Sequence, residues 1–105
     1  MGAITRKKRS DRTHAIYQIE IRGMIYIGIT AKTCSTIKRS VELRFRKHVN
    51  RAITENKSWP LCKAIRKYGI EDAALYILET VRGKAAAHQR EREIIRELNP
   101  KLNLA

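Results

Sequence analysis

Residues 14–30 read HAIYQIEIRGMIYIGIT, and the fold turns on how this stretch is read. It is dense in Ile and Tyr, side chains that suit a pleated surface, and Arg22-Gly23 at its centre is a tight-turn pair. The expectation is a β-hairpin turning at those two residues. Ile21 then faces Met24, Ile19 faces Tyr26 and Tyr17 faces Gly28. Tyr17 and Tyr26 share one face as diagonal neighbours, while Ile16, Ile25, Ile27 and Ile29 occupy the other. Gly28, opposite Tyr17, leaves open space beside that ring.

Downstream, residues 31–39 are polar and lack a sustained period, so they read as a loop that ends where Ser40 can cap a helix. That helix is expected over about 41–54. Val41, Phe45, Val49, Ala52 and Ile53 form its apolar stripe, which gathers Arg44, His48 and Arg51 along one basic flank. Ser58 as cap, Pro60 in the first turn and Gly69 after Tyr68 bracket a second helix with Leu61, Ala64, Ile65 and Tyr68 facing inward. The segment ALYILETV, 74–81, reads as a third strand, Gly83 breaks it, and 85–98 is a helix stopped by Asn99-Pro100. The order β-β-α-α-β-α predicts an α+β fold: a three-stranded antiparallel sheet flanked by helices, most simply in two layers. One domain over 13–105 follows, preceded by a basic arm over 1–12 whose few large apolar groups cannot offset the entropy of ordering it.

Charge narrows the partners. Twenty-three Lys and Arg against ten Asp and Glu give a net charge of +13 across 105 residues, a balance expected when a polyanion is the usual neighbour. Nucleic acid leads. A membrane partner is excluded because no amphipathic helix lies outside the apparent core and no apolar run is long enough to span or to serve as a signal peptide. Cys34 and Cys62 stand apart, without zinc-ligand spacing, and read as plain thiols in a reducing cytoplasm.

The order and spacing of several short elements resemble the GIY-YIG nuclease superfamily. Ala15-Ile16-Tyr17 and Tyr26-Ile27-Gly28 are similar to its two half-motifs, with Ala for the first Gly. Arg44 and His48 match its Arg-x-x-x-His pair on the first helix, and Glu91 matches its metal-binding Glu. Asn103 stands at the interval found in members of the family, and residues 58–78 resemble a run common in phage and intron-encoded ones. The resemblance spans 15–103. The chain departs from homing and repair members by a longer connection before Arg44 and by showing no appended DNA-binding domain, which makes it most similar to the stand-alone endonucleases of phages and mobile elements.

The resemblance implies a metal-dependent endonuclease that hydrolyses phosphodiester bonds in double-stranded DNA, one strand per active site. Double-strand cleavage would then call for a homo-oligomer. It implies Mg²⁺ or Mn²⁺ on Glu91, and Tyr17 activating water as a base or by orienting it, with Tyr26 in support. Arg44 would grip the scissile phosphate through its planar fork. His48 would bond a phosphate, assist Tyr17 or relay the proton, and Asn103 would hold the phosphate or brace Glu91. Arg44, His48, Arg51, Lys57 and Lys63 are the DNA-binding candidates. Lys57 and Lys63 both stand where some relatives place a basic active-site group. A cytoplasmic setting, that of a bacterial host for a phage protein, goes with this reading. Charge alone supports equally a non-catalytic DNA- or RNA-binding module, and a protein-interaction or ribosome-associated factor is the third reading.

Overall fold

A computed structural model describes residues 12–55 and 57–103. The basic arm read from the sequence lies, apart from Arg12, outside the described residues. Strand β1 (Thr13–Ile21) turns through Arg22 and Gly23, both at positive φ of 54° and 79°, into β2 (Met24–Ala31). Two successive residues with positive φ match the right-handed twist of a two-residue hairpin, and Gly at the second position removes half of the steric cost. The register is the expected one: Tyr17 pairs with Gly28, Ile19 with Tyr26 and Ile21 with Met24. Strand β3 (Ala74–Arg82) pairs antiparallel with the other side of β1, so the sheet order is β2-β1-β3 and β1 is central.

The predicted α+β class and the order β-β-α-α-β-α hold, but the helices cover both faces of the sheet. Tyr17, Ile19 and Ile21 of β1 pack on the side of helices α1 (Ile37–Asn50) and α2 (Pro60–Tyr68), against Val41, Leu61, Cys62 and Ile65. Ile16 and Ile27 point the other way and meet Ile94 and Ile95 of helix α3 (Lys84–Leu98). The arrangement has three layers, which corrects the two-layer expectation. A central strand buried on both sides needs apolar residues at odd and even positions, and Ala15, Ile16, Tyr17 and Ile19 are all fully buried. Each large side chain so buried contributes roughly 1.5–3 kcal/mol.

Three local expectations are corrected. Helix α1 starts at Ile37, earlier than the loop 31–39 allowed, and its cap is Thr36, whose hydroxyl accepts from the Arg39 N–H at 3.1 Å. Ser40 is instead buried in the first turn. Its Oγ accepts the N–H groups of Thr33 and Cys34, each at 3.0 Å, and donates to the Thr36 carbonyl. It thereby satisfies loop donors that would otherwise go unpaired beside the core. At the far end of the helix, Arg51–Glu55 widens into a π-helical turn. The extra residue per turn rotates Ile53 off the apolar stripe, leaving it 68% exposed, while Ala52 stays buried. Helix α2 is capped by Trp59, not Ser58, and Trp59 makes no side-chain cap bond. Pro60 opens it as predicted.

Among the described residues no helix is long and apolar enough to cross a membrane. Cys34 and Cys62 are both free thiols.

Candidate active site

Gly28 makes the site possible. A Cβ there would lie 2.5 Å from Tyr17 Cζ and Oη and 2.7 Å from Tyr26 Cε1. Those separations are shorter than any non-bonded contact tolerates, so only glycine lets both phenols lie over the strand at this point. The two rings sit with centroids 6.2 Å apart, and the His48 ring meets that of Tyr26 edge-on at 5.1 Å. His48 reaches them from the third turn of α1, one turn beyond Arg44, because residues four apart share a helix face.

Tyr17 Oη and His48 Nε2 are hydrogen bonded at 2.8 Å, and both residues are buried, at 0% and 4% exposed. Burial, with the charges of Arg44 and Arg51 behind it, lowers the His48 pKa to about 4, so the imidazole is neutral at pH 7. Burial first, then the neighbouring Tyr26, raises the Tyr17 pKa well above the ordinary phenol value, against the pull of Arg44. Desolvation thus outweighs the Arg44 guanidinium at the Tyr17 hydroxyl. Tyr26 is shifted upward too, again by burial. Arg44 and the Tyr17 hydroxyl work in the opposite direction.

Glu91 comes from α3, on the opposite face of the sheet, yet its charge acts on both phenols and raises the pKa of each. Its side chain is 17% exposed and stands 3.6 Å from His88 Nδ1, three residues earlier on the same helix. Desolvation raises its pKa and His88 counteracts. Among the described residues no group of three or more His, Cys, Asp and Glu is gathered to hold a metal. Glu91 would thus be a lone carboxylate ligand, which suits Mg²⁺, an ion that usually keeps several waters and takes one or two carboxylates plus substrate phosphate oxygens. The Arg44 Nε is buried with no hydrogen-bond partner. A buried charged donor without a partner is costly, and an anionic oxygen would satisfy it.

A pocket of about 330 Å³ opens beside these groups, walled by Tyr26, Arg44, His48 and Arg51 on one side and by Trp59, Leu61 and Leu102 on another. The two phenols therefore divide the work differently from the sequence reading: Tyr26 borders the open space and Tyr17 stands behind it against His48. Asn103 also borders the pocket, but its amide is committed to β2. Oδ1 accepts the Ile27 N–H and Nδ2 donates to the Ile27 carbonyl, both at 2.8 Å. It clamps the chain end after α3 to the outer edge of the hairpin and makes no bond to Glu91. Arg51 lies at the pocket with a long ion pair to Glu55 at 3.9 Å. Lys57 is exposed with Nζ 5.5 Å from the Trp59 ring centroid, whereas Lys63 is exposed on α2 and does not border the pocket.

Sequence reasoning missed Trp59 and His88. A solitary Trp within KSWP gave one usable signal, an aromatic in a basic, helix-starting loop. His88 could have been found from its i, i+3 spacing to Glu91. A second depression of about 430 Å³, also bordered by Arg44, went unforeseen because its cations, Arg12, Lys47 and Lys84, come from distant segments, with His88 beside them. Among the described residues no carboxylate borders it. No family model, curated protein or solved structure matches the chain.

Proposed function

We propose that this chain is a Mg²⁺- or Mn²⁺-dependent endonuclease that hydrolyses DNA phosphodiester bonds, one strand per active site, as the GIY-YIG resemblance implies. The observation that carries the reading is electrostatic convergence. Arg44 from α1 and Glu91 from α3, on opposite faces of the sheet, both act on the same two phenols of the hairpin. A module that only bound phosphates would have no use for a half-buried carboxylate whose charge acts on both phenols, since Glu91 repels the ligand that the cations attract.

In this reading the scissile phosphate lies at Arg44, where the two depressions meet, with one oxygen on the guanidinium. Glu91 would hold the metal ion, which when bound supplies charge stabilisation for the phosphate and the leaving oxygen. The attacking water sits against Tyr26, the phenol that borders the pocket. Tyr26 orients the water, whose proton leaves to bulk solvent, and Tyr17 backs Tyr26 through its own hydroxyl, held at 2.8 Å by His48 Nε2. No free phenolate needs to accumulate, and the neutral His48, a weak acceptor with its pKa of about 4, fixes the Tyr17 hydroxyl. Asn103 is a positioning residue: it holds the β2 edge, and with it the Tyr26-Ile27-Gly28 backbone. The cations of the adjoining depression would carry neighbouring phosphates.

Supercoiled plasmid with purified protein tests the proposal. Nicked circles should accumulate with Mg²⁺ and not with excess chelator. Binding without nicking under any divalent metal would favour instead the non-catalytic nucleic-acid module.

A further inference from the structure

One wall of the pocket has no part in the hydrolysis just described. Trp59, the chain's only tryptophan, stands at its edge with 38% of its surface exposed, and Leu61, Cys62 and Leu102 form an apolar floor. An anion gains nothing from an indole or from leucine. A flat heterocycle gains from both, because every nucleobase has a π-face that stacks on an aromatic ring irrespective of sequence. Cations lie over the indole, the Arg51 guanidinium carbon 5.8 Å and Lys57 Nζ 5.5 Å from the ring centroid, and both are long side chains that can swing aside to a phosphate when a base takes the ring face. An aromatic plate flanked by cations is the pairing that single-stranded nucleic acid requires, base on the ring and phosphate on the charges. Among the described residues no carboxylate borders this pocket. Its volume of about 330 Å³ sits at the lower end of small-molecule pockets, ~300–1,000 Å³, which suits one base and excludes a stacked duplex.

We infer that this pocket seats one unstacked nucleobase on Trp59, that of the nucleotide whose phosphate meets Arg44, and that DNA with an unpaired or readily extruded base there is the preferred substrate. The inference deepens the nuclease reading and rests on it for the placement of the phosphate. Polar recognition is available within the same wall. Asn103, fixed by its two bonds to the Ile27 peptide, retains one amide N–H and one carbonyl lone pair for a base edge. Extrusion from a paired duplex costs unstacking and unpairing energy, which is smallest at mismatched or single-stranded positions. The preference therefore follows from pocket shape and needs no base-specific contact.

Trp59 is its own reporter. With chelator present, so that nothing is cut, the protein is titrated with a short oligothymidylate and with an abasic deoxyribose-phosphate chain of the same length and charge. The base-bearing chain should quench Trp59 emission and bind about tenfold more tightly. Trp59→Phe should keep that preference and Trp59→Leu should lose it, both with unchanged far-ultraviolet circular dichroism. Equal affinity for the two chains with unaltered emission would overturn the inference. With Mg²⁺, a duplex holding one unpaired nucleotide should be cut beside it about tenfold faster than the matched duplex, and uniform cutting of both would count against the base seat. The two readings fail separately. Base-dependent quenching by a protein that cuts nothing retains the seat and removes the nuclease, while cutting without base-dependent quenching does the reverse.

Discussion

Gly28 shows how one missing side chain shapes a site. Its absent Cβ is the space into which the Tyr17 hydroxyl end and the Tyr26 ring fit, and Tyr17 is fully buried with no obvious direction of retreat. Gly28→Ala should cost about 1–3 kcal/mol, as overpacking does, and should break the bond between Tyr17 and His48. A denaturant midpoint equal to wild type would contradict this. His48 gives a pH signature with a definite sign. Its folded pKa of about 4 lies below the ordinary 6.5, so as pH falls the unfolded chain takes up the proton first. Stability should decline from about pH 6.5 to about pH 4, by roughly 3 kcal/mol, and level off below. Urea titrations of His48→Gln should lack that part of the slope, and an unchanged slope would refute the assignment. Glu91 runs the other way. Its raised pKa makes the ionised carboxylate a cost to the fold at neutral pH, so Glu91→Gln should melt at or above the wild-type temperature even as it loses activity.

Among the elements, the hairpin was the most legible. A Gly at the second turn position places the turn and with it the register of both arms, and a one-residue slip would turn every side chain over. The pairing of Tyr17 with Gly28 followed from that alone. Helix ends were less legible. Thr36, Ser40 and Ser58 carry the same capping chemistry, and only tertiary contacts decide that Thr36 caps α1, that Ser40 is drawn in to satisfy the Thr33 and Cys34 amides, and that Trp59 takes the cap position of α2. The π-helical turn that exposes Ile53 leaves no mark in the apolar periodicity. For the candidate site, order and spacing pointed to Tyr17, Tyr26, Arg44 and His48, which the fold gathers, and to Glu91, whose charge acts on both phenols. They could not show that Asn103 spends its amide on the Ile27 peptide, since its partner lies 76 residues away. Asn103→Ala leaves both polar groups of that edge peptide without their partner and should cost about 1–3 kcal/mol. Faster amide exchange confined to β2 and the chain end would be its sign, and unaltered exchange at Ile27 would argue against the clamp.

Taken whole, the molecule places positive charge where two depressions meet at Arg44. One is the phenol pocket, and the other is bordered by Arg12, Lys47, Lys84 and His88, with no carboxylate among the described residues. A polyanion lying across both would release counterions in proportion to the phosphates engaged. Lys47→Ala and Lys84→Ala should each lower the magnitude of the logarithmic salt dependence of DNA binding by about 0.9. The sheet, with helices on both faces, lets α1 and α3 approach the hairpin from opposite sides, so the charges of Arg44 and Glu91 act on the same phenols without an ion pair between them. That juxtaposition is the central claim, and a side-by-side assay of Glu91→Ala addresses it most directly. Plasmid nicking in Mg²⁺ is measured beside DNA affinity at fixed salt: the variant should bind within about twofold of wild type and leave the plasmid intact. Nicking by Glu91→Ala at the wild-type rate would contradict the account.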